Sequence, residues 1–148
     1  MRIALACDHA ALAHKLAISA RLRALGHETI DFGTASEASC DYPDHGYPAV
    51  KAVADGRCER GVLICGTGIG MSIVANKVAG IRCALVHSVD TARTTAAHNN
   101  PQVLALGARI VDAATACAMV EAWLTTAFET RHQRRLDKIT AIERGSPC

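Results

Sequence analysis

Cys65 heads a glycine-rich stretch, Cys65-Gly66-Thr67-Gly68-Ile69-Gly70-Met71-Ser72. The apolar run before it, Gly61-Val62-Leu63-Ile64, reads as a buried strand, and residues 71–78 carry helical character. A thiol therefore stands where a strand hands over to a helix, in a loop that can turn tightly and approach a ligand closely. Backbone N–H groups at the start of that helix favour negative charge in front of them. The same field favours a thiolate at Cys65. The chemistry this predicts is a phosphorylated or oxyanionic ligand held beside a reactive sulfur. Cys65 would be general base or nucleophile, with Thr67 and the N–H groups of residues 66–70 steadying an oxyanion. The alternative is a tight strand-to-helix turn in which Cys65 is a small buried hydrophobe.

Other groups could join it. His98 closes a helix beside Asn99, where a histidine can exchange a proton near neutral pH; it also suits a surface position favoured by the helix dipole. Asp8-His9 could bind hydroxyls or orient a ring oxygen, or Asp8 could simply cap the following helix. Arg131 and Arg135 are four apart, hence on one helical face, where two guanidinium groups can hold a phosphate dianion. The other reading of that pair is a solvated basic stripe. Arg109 stands alone and is ambiguous. No Lys-Ser/Thr follows Gly70, so the loop is not a Walker A motif. Its G-x-G-x-G spacing, with no acid closing the next strand, argues against a dinucleotide site. Asp8, His9, Cys65 and His98 offer no local ligand pair for a metal. A cysteine hydrolase using Cys65 with His98 remains open.

These groups must be positioned by the elements around them. Residues 2–7 read as a first strand, 10–25 as a helix with Leu12/Leu16 and Ile18/Leu22/Leu25 on its stripes, and Gly26 as its stop. A second strand covers 27–32. Residues 33–48 read as a polar loop holding Tyr42, and 47–54 as a helix. Further strands are predicted at 61–64, 81–86 and 103–106. Ser88 should cap a helix that ends before Pro101. A helix over 112–127 carries an apolar stripe of Ala113, Ala116, Cys117, Val120, Leu124 and Ala127. The tail, 130–143, is a basic helix with Leu136, Ile139 and Ile142 as its apolar positions. Strands alternating with helices predict an α/β fold: a five-stranded, open parallel sheet with helices on both faces, a three-layer Rossmann-like sandwich. In such sheets ligands bind outside the carboxyl ends of the strands, which gathers Asp8-His9 and the Cys65 loop at one edge, where the Tyr42 loop can join them.

The 148 residues fit one domain spanning 1–148. Half are hydrophobic and only 3% aromatic, so the core must come from Ala, Val, Ile and Leu. A net charge of +2 and so few aromatics exclude a nucleic-acid-binding surface. No apolar run suits a membrane span, and the first residues are too soon interrupted by Asp8-His9 for a signal peptide. The seven cysteines, Cys148 among them, form no C-x-x-C pair, which predicts scattered, reduced thiols in the cytoplasm.

Taken in order, Cys7-Asp8-His9, Asp41-Tyr42-Pro43, the Cys65 to Ser72 stretch, Ala75-Asn76-Lys77, Gly80-Ile81-Arg82, His98-Asn99, the Val103-Leu104-Ala105-Leu106-Gly107-Ala108-Arg109 run, and Arg131-His132-Gln133 with Arg135 resemble the ribose-5-phosphate isomerase B family. That family includes allose- and galactose-6-phosphate isomerases. The resemblance covers essentially the whole chain. It implies an aldose–ketose isomerase of phosphosugars, most directly ribose 5-phosphate, needing no metal or organic cofactor. It implies that Cys65 removes the proton beside the carbonyl and that residues Gly66, Gly68, Ile69 and Gly70, with Thr67, stabilise a cis-enediolate. His98 would open the ring with Asp8 near its oxygens. His9, Arg131 and Arg135 would hold the phosphate, and Tyr42, Asn99 and Arg109 would complete the pocket. Some members carry serine at the Cys65 position and a glutamate base where this chain has Met71, so here the base should be the thiolate. The family pattern further implies a homodimer, or a tetramer, with sites built from both chains and the C-terminal helix packed on the partner. Phe32 and segments 35–40 and 86–88 depart most from the ribose enzymes, which leaves the sugar open among pentose, hexose and tetrose phosphates. A non-catalytic sugar-phosphate binding module is the alternative from another class.

Overall fold

The computed structural model describes residues 1–146. Five strands form one parallel sheet: β1 (Arg2–Cys7), β2 (Glu28–Asp31), β3 (Arg60–Cys65), β4 (Cys83–Leu85) and β5 (Val103–Gly107). Their spatial order is β2-β1-β3-β5-β4. Between them run α1 (Leu12–Ala24), α2 (Tyr42–Ala54), α3 (Ile69–Ala75) and α4 (Val89–Asn99), and after β5 come α5 (Ala113–Thr125) and α6 (Gln133–Glu143). Side chains alternate along each strand, so the sheet has two different faces. Ile3, Leu5, Cys7, Val62, Ile64, Leu104 and Leu106 pack under α1, α4 and α5. Ala4, Ala6, Leu63, Cys65, Val103 and Ala105 face α2 and α3. The second set is smaller, and it puts the Cys65 side chain on the α2/α3 side.

The chain leaves β1 toward β2 on one side and returns to place β3 on the other. The carboxyl ends of β1 and β3 therefore flank the switch point of the sheet, where ligands bind in such folds. The ladder extends beyond the strands: Asp8 N–H donates to the Ile64 carbonyl, and Arg109 N–H to the Gly66 carbonyl at 2.9 Å.

The expected parallel sheet with helices on both faces is present. Several boundaries differ. Residues 42–46 are helical, so Tyr42 opens α2 instead of sitting in a loop. Pro43 falls in the first turn, where its missing N–H costs nothing, and Pro48 is accommodated inside the helix. The helix is held there by burial of Gly46, Ala49, Val50, Ala52 and Val53. The glycine-loop helix starts at Ile69 and stops at Ala75. The fourth strand has three residues, not six, as the edge strand of the sheet. On α1 Ile18 and Leu22 are buried, but Leu16 and Leu25 face outward. On α5 the buried stripe includes Met119 and Trp123. Ser88 caps α4 in a reciprocal box with Thr91, as anticipated. The six cysteines among the described residues are free thiols; Cys148 lies outside these residues. Burial pushes Cys7 up to about 11 and Cys83 up to about 12, which makes both poor nucleophiles.

Lys15 on α1 is 2% exposed, an unusual burial for lysine. Its Nζ donates to the Thr34 carbonyl at 2.7 Å and pairs with Asp31 Oδ2 at 2.7 Å. It thereby ties the end of β2 and the following segment to α1. Lys15→Met keeps the apolar stem but strips the Thr34 carbonyl of its donor. We expect a loss of about 1–3 kcal/mol, read as a lower urea midpoint with unchanged slope.

Candidate functional site

The sequence-predicted residues fall into two groups at opposite edges of the sheet. The first lies at the carboxyl edge. Asp8 is buried, and its side chain accepts the Ala10 N–H at 3.0 Å, capping a short 3₁₀ turn, His9–Ala11. His9 Nδ1 accepts the Cys40 backbone N–H at 3.2 Å, so its Nε2 is free to donate. Cys65 Sγ accepts the Gly68 N–H at 3.1 Å, folding the loop back over the sulfur. Gly68 takes φ +79, and an added side-chain carbon would meet Leu85 at 2.6 Å and the Leu106 backbone at 2.8 Å. Only glycine satisfies both conditions. A carbon added at Gly70 would lie 2.7 Å from the Tyr42 ring, so the tyrosine rests directly on the loop. The Arg109 guanidinium lies over Gly66, less tightly, at 3.3 Å from a carbon added there. Thr67 and Ile69 are exposed beside them. Met71, in contrast, is fully buried against Gly46.

The second group holds His98, Asn99, Arg131 and Arg135. A helix between parallel strands runs back against them, so α4 ends at the amino edge. Arg82, which precedes β4, donates to the Asn99 and Asn100 carbonyls there, and the Gln102 carbonyl accepts from Gly61 near the start of β3. The six residues of β3 separate this edge from Cys65 by about 16 Å. One chain does not bring His98 to Cys65. The Glu129 N–H donates to the Ala97 carbonyl at 2.9 Å, which docks the start of the tail on the last turn of α4. Arg131 Nε donates to Glu129 Oε2 at 2.7 Å. A cleft of about 690 Å³ opens at this edge beside Asn99, between Arg82, Pro101, Ile139 and Ile142. It does not reach Cys65, and of the second group only Asn99 lines it.

The structure adds a residue to which the sequence analysis gave no role. His132 is 2% exposed, and its ring lies 4.3 Å from that of His98. Arg135 donates to His132 Nδ1. A guanidinium can only donate, so the neutral ring carries its hydrogen on Nε2. That buried atom has no hydrogen-bond partner, although Glu129 Oε2 is 3.5 Å away. The three side chains His98, Glu129 and His132 have the grouping of a metal site. However, a protonated Nε2 cannot ligate, and Arg131 and Arg135 add two positive charges. The signal in the sequence was the three-residue spacing of Glu129, His132 and Arg135, which sets them on one face.

An open parallel sheet with an acid, a thiol and a glycine loop gathered at its switch point is the layout of an α/β enzyme of small anionic ligands. Residues 3–139 match the ribose/galactose isomerase family. The chain is 45% identical to ribose-5-phosphate isomerase B of Escherichia coli over 143 residues, 96% of each protein. It is 42% identical over 130 residues to D-erythrulose-4-phosphate isomerase of Pectobacterium atrosepticum, covering 87% of this chain and 86% of that one. Ribose-5-phosphate isomerase B of Clostridium thermocellum superposes with a TM-score of 0.94 at 44% identity, covering 98% of this chain and 99% of that one. The chain belongs to the ribose/galactose isomerase family, in its ribose-5-phosphate isomerase B group, and is an aldose–ketose isomerase.

Burial, with the charges of Arg131, His98 and Arg135, holds the His132 imidazole below its ordinary 6.5, against the opposing pull of Glu129. The unfolded chain therefore binds a proton there before the folded one does. Above pH 6.5 the residue adds no penalty; below it, stability falls as pH drops toward the depressed folded value. The expected result is a Tm that declines as pH falls below 6.5, with a shallower decline in His132→Asn, read by calorimetry on the acid side of that value.

Proposed function

We propose that this protein interconverts ribose 5-phosphate and ribulose 5-phosphate, with Cys65 as the base. The observation that carries the reading is Cys65 at the switch point, with the Gly68 N–H aimed at its sulfur. The thiolate removes the hydrogen from C2 of the open-chain aldose. The C–H electron pair becomes the C1=C2 double bond of a cis-enediolate, and the carbonyl oxygen on C1 takes up negative charge. The N–H groups of the 66–70 loop and the Thr67 hydroxyl stabilise that charge as it develops. A proton passes from O2 to O1, and the thiol returns its proton to C1, leaving a carbonyl at C2. Met71, buried and uncharged, offers no competing base.

His98 opens the furanose ring, with Asp8 near the ring oxygens. Arg131, Arg135 and His9 hold the phosphate, with Tyr42, Asn99 and Arg109 lining the pocket. Because His98 and Cys65 occupy opposite edges of one sheet, a second copy must supply the other half. Ile139 and Ile142, half exposed on α6, give that copy an apolar surface to cover, in a homodimer with two shared sites. The free thiols support a reducing, cytoplasmic setting. Among the described residues no helix is long and apolar enough to cross a membrane.

Cys65→Ala should lower kcat by roughly 10²–10⁴-fold with little change in phosphosugar binding, since a base acts on the reacting proton. A folded variant with near-normal kcat would end the assignment. A panel of pentose, hexose and tetrose phosphates, compared by kcat/KM, identifies the sugar. Ribose 5-phosphate should lead, and erythrulose 4-phosphate is the alternative the Pectobacterium relative makes worth including.

The shared site is tested by complementation. Cys65→Ala and His98→Ala proteins, each inactive, are mixed under subunit exchange. A mixed dimer carries one intact site and one doubly damaged site, so activity should return to about half of wild type per mixed dimer. No recovery with proven exchange would put both groups in one chain.

A further inference from the structure

Arg82 sits at the start of β4 with no carboxylate within ion-pair distance among the described residues. Its charge is partly buried, and burial together with the nearby Arg60 disfavours it, while Glu143 favours it from beyond ion-pair distance. The direct partners of the guanidinium lie at the end of α4. Arg82 Nε donates to the Asn99 carbonyl at 3.0 Å and a terminal nitrogen donates to the Asn100 carbonyl at 2.8 Å. A helix leaves its last carbonyls unpaired and concentrates negative potential there, so a cation with two diverging donors answers both needs. Asn100 takes φ 41, the left-handed region, and it turns the chain sharply after the helix. Arg82 is itself fixed: its N–H donates to Gln102 Oε1 at 2.9 Å, and Gln102 Nε2 donates to the Gly80 carbonyl at 3.0 Å. The guanidinium therefore links a rigid strand start to the turn that carries His98 and Asn99.

We propose that Arg82 is a positioning residue, whose clamp on the Asn99 and Asn100 carbonyls sets the His98 ring for work on the sugar. The inference deepens the reading of His98 as the ring-opening group and rests on it for its catalytic consequence. It does not rest on that reading for the placement itself. Arg82 touches no substrate in this scheme; it acts through the backbone of the last turn. A lysine there delivers a single point charge and cannot reach both carbonyls in one plane, so Arg82→Lys retains part of the effect and Arg82→Gln little. Misplacement of a catalytic group by about 1 Å costs on the order of 10²-fold in rate.

The test measures two reactions and one spectrum in Arg82→Lys and Arg82→Gln. The first reaction is isomerisation of ribose 5-phosphate, which requires ring opening. The second is exchange of the C1 hydrogen of ribulose 5-phosphate with solvent deuterium, which uses an acyclic sugar and the Cys65 base alone. Arg82→Gln should lose about 10²-fold in the first, keep the second within a few-fold, and regain part of the first with added guanidinium ion. Arg82→Lys should fall between. The imidazole NMR signals of His98 should shift in Arg82→Gln, while those of His14, whose Nε2 donates to the Val111 carbonyl at 2.8 Å, stay in place. Unmoved His98 signals overturn the proposal whatever the rates do. Equal loss in both reactions also overturns it, since that is the mark of general structural damage. If His98→Ala itself isomerises ribose 5-phosphate normally, the ring-opening role fails, while the His98 signals still decide the placement by Arg82.

Discussion

A parallel strand can be followed only by chain that travels back across the sheet. That constraint organises this protein more than any single contact. It sends the backbone of every βα unit out at the carboxyl edge and returns the end of every crossover helix to the amino edge. Loops that follow strands, such as the one after Cys65, gather on one side. Residues that end helices, such as His98 and Asn99, gather on the other. The thickness of the sheet edge to edge, set by six residues of β3, then becomes a chemical fact. Two sets of reactive groups made by one chain are kept apart by its own core.

The details of each edge follow from what a strand or a helix leaves unsatisfied. At the carboxyl edge the loop must turn at once into α3, which requires the left-handed backbone of Gly68 and leaves an N–H against the Cys65 sulfur. At the amino edge the helix ends with free carbonyls, and cations collect there: Arg82 on the carbonyls, and Arg131 and Arg135 on the docked tail. Glu129 and His132 hold those two arginines by hydrogen bonds. The result is a positively charged surface made rigid by its own partners, with one buried N–H of His132 left without an acceptor. Such an atom costs about 1–3 kcal/mol while unpaired, a cost ordinarily tolerated at sites that meet a ligand or another chain.

Much of this was legible in the residues. Apolar runs of four to six, bounded by glycine and separated by helical periods, fix an alternating sheet, and Ser88 announces its helix through its cap. The Cys65 loop stands out because glycine at three alternate positions has few uses besides a tight turn under a ligand. What failed did so for physical reasons. Prolines at 43 and 48 read as loop, yet tertiary burial of Gly46, Ala49 and Val50 outweighs a lost backbone bond. Leu16 looked like core because periodicity cannot say which of two neighbouring stripes turns inward, and Leu25, on the stripe that does, is exposed because the helix ends before it. His132 went unassigned because its significance depends on His98, which only the docking of the tail on α4 brings against it. Lys15 was invisible for the same reason: nothing in a helical lysine signals a carbonyl waiting at Thr34.

Trp123 is the only tryptophan in the chain. Its indole is buried on α5, its N–H meets the Pro101 carbonyl at 3.3 Å, and the Arg60 guanidinium lies 5.7 Å from the ring. Pro101 follows directly on the turn that ends α4. The molecule thus carries a single indole, and its emission, excited apart from that of Tyr42 and Tyr47, reports on one edge of the sheet alone. Light absorbed at the indole is sensitive to the polarity and charge around the segment that bears His98, and blind to the thiol on the far side. The amino edge of the chain can therefore be followed by emission, and its carboxyl edge by the chemistry of the Cys65 sulfur.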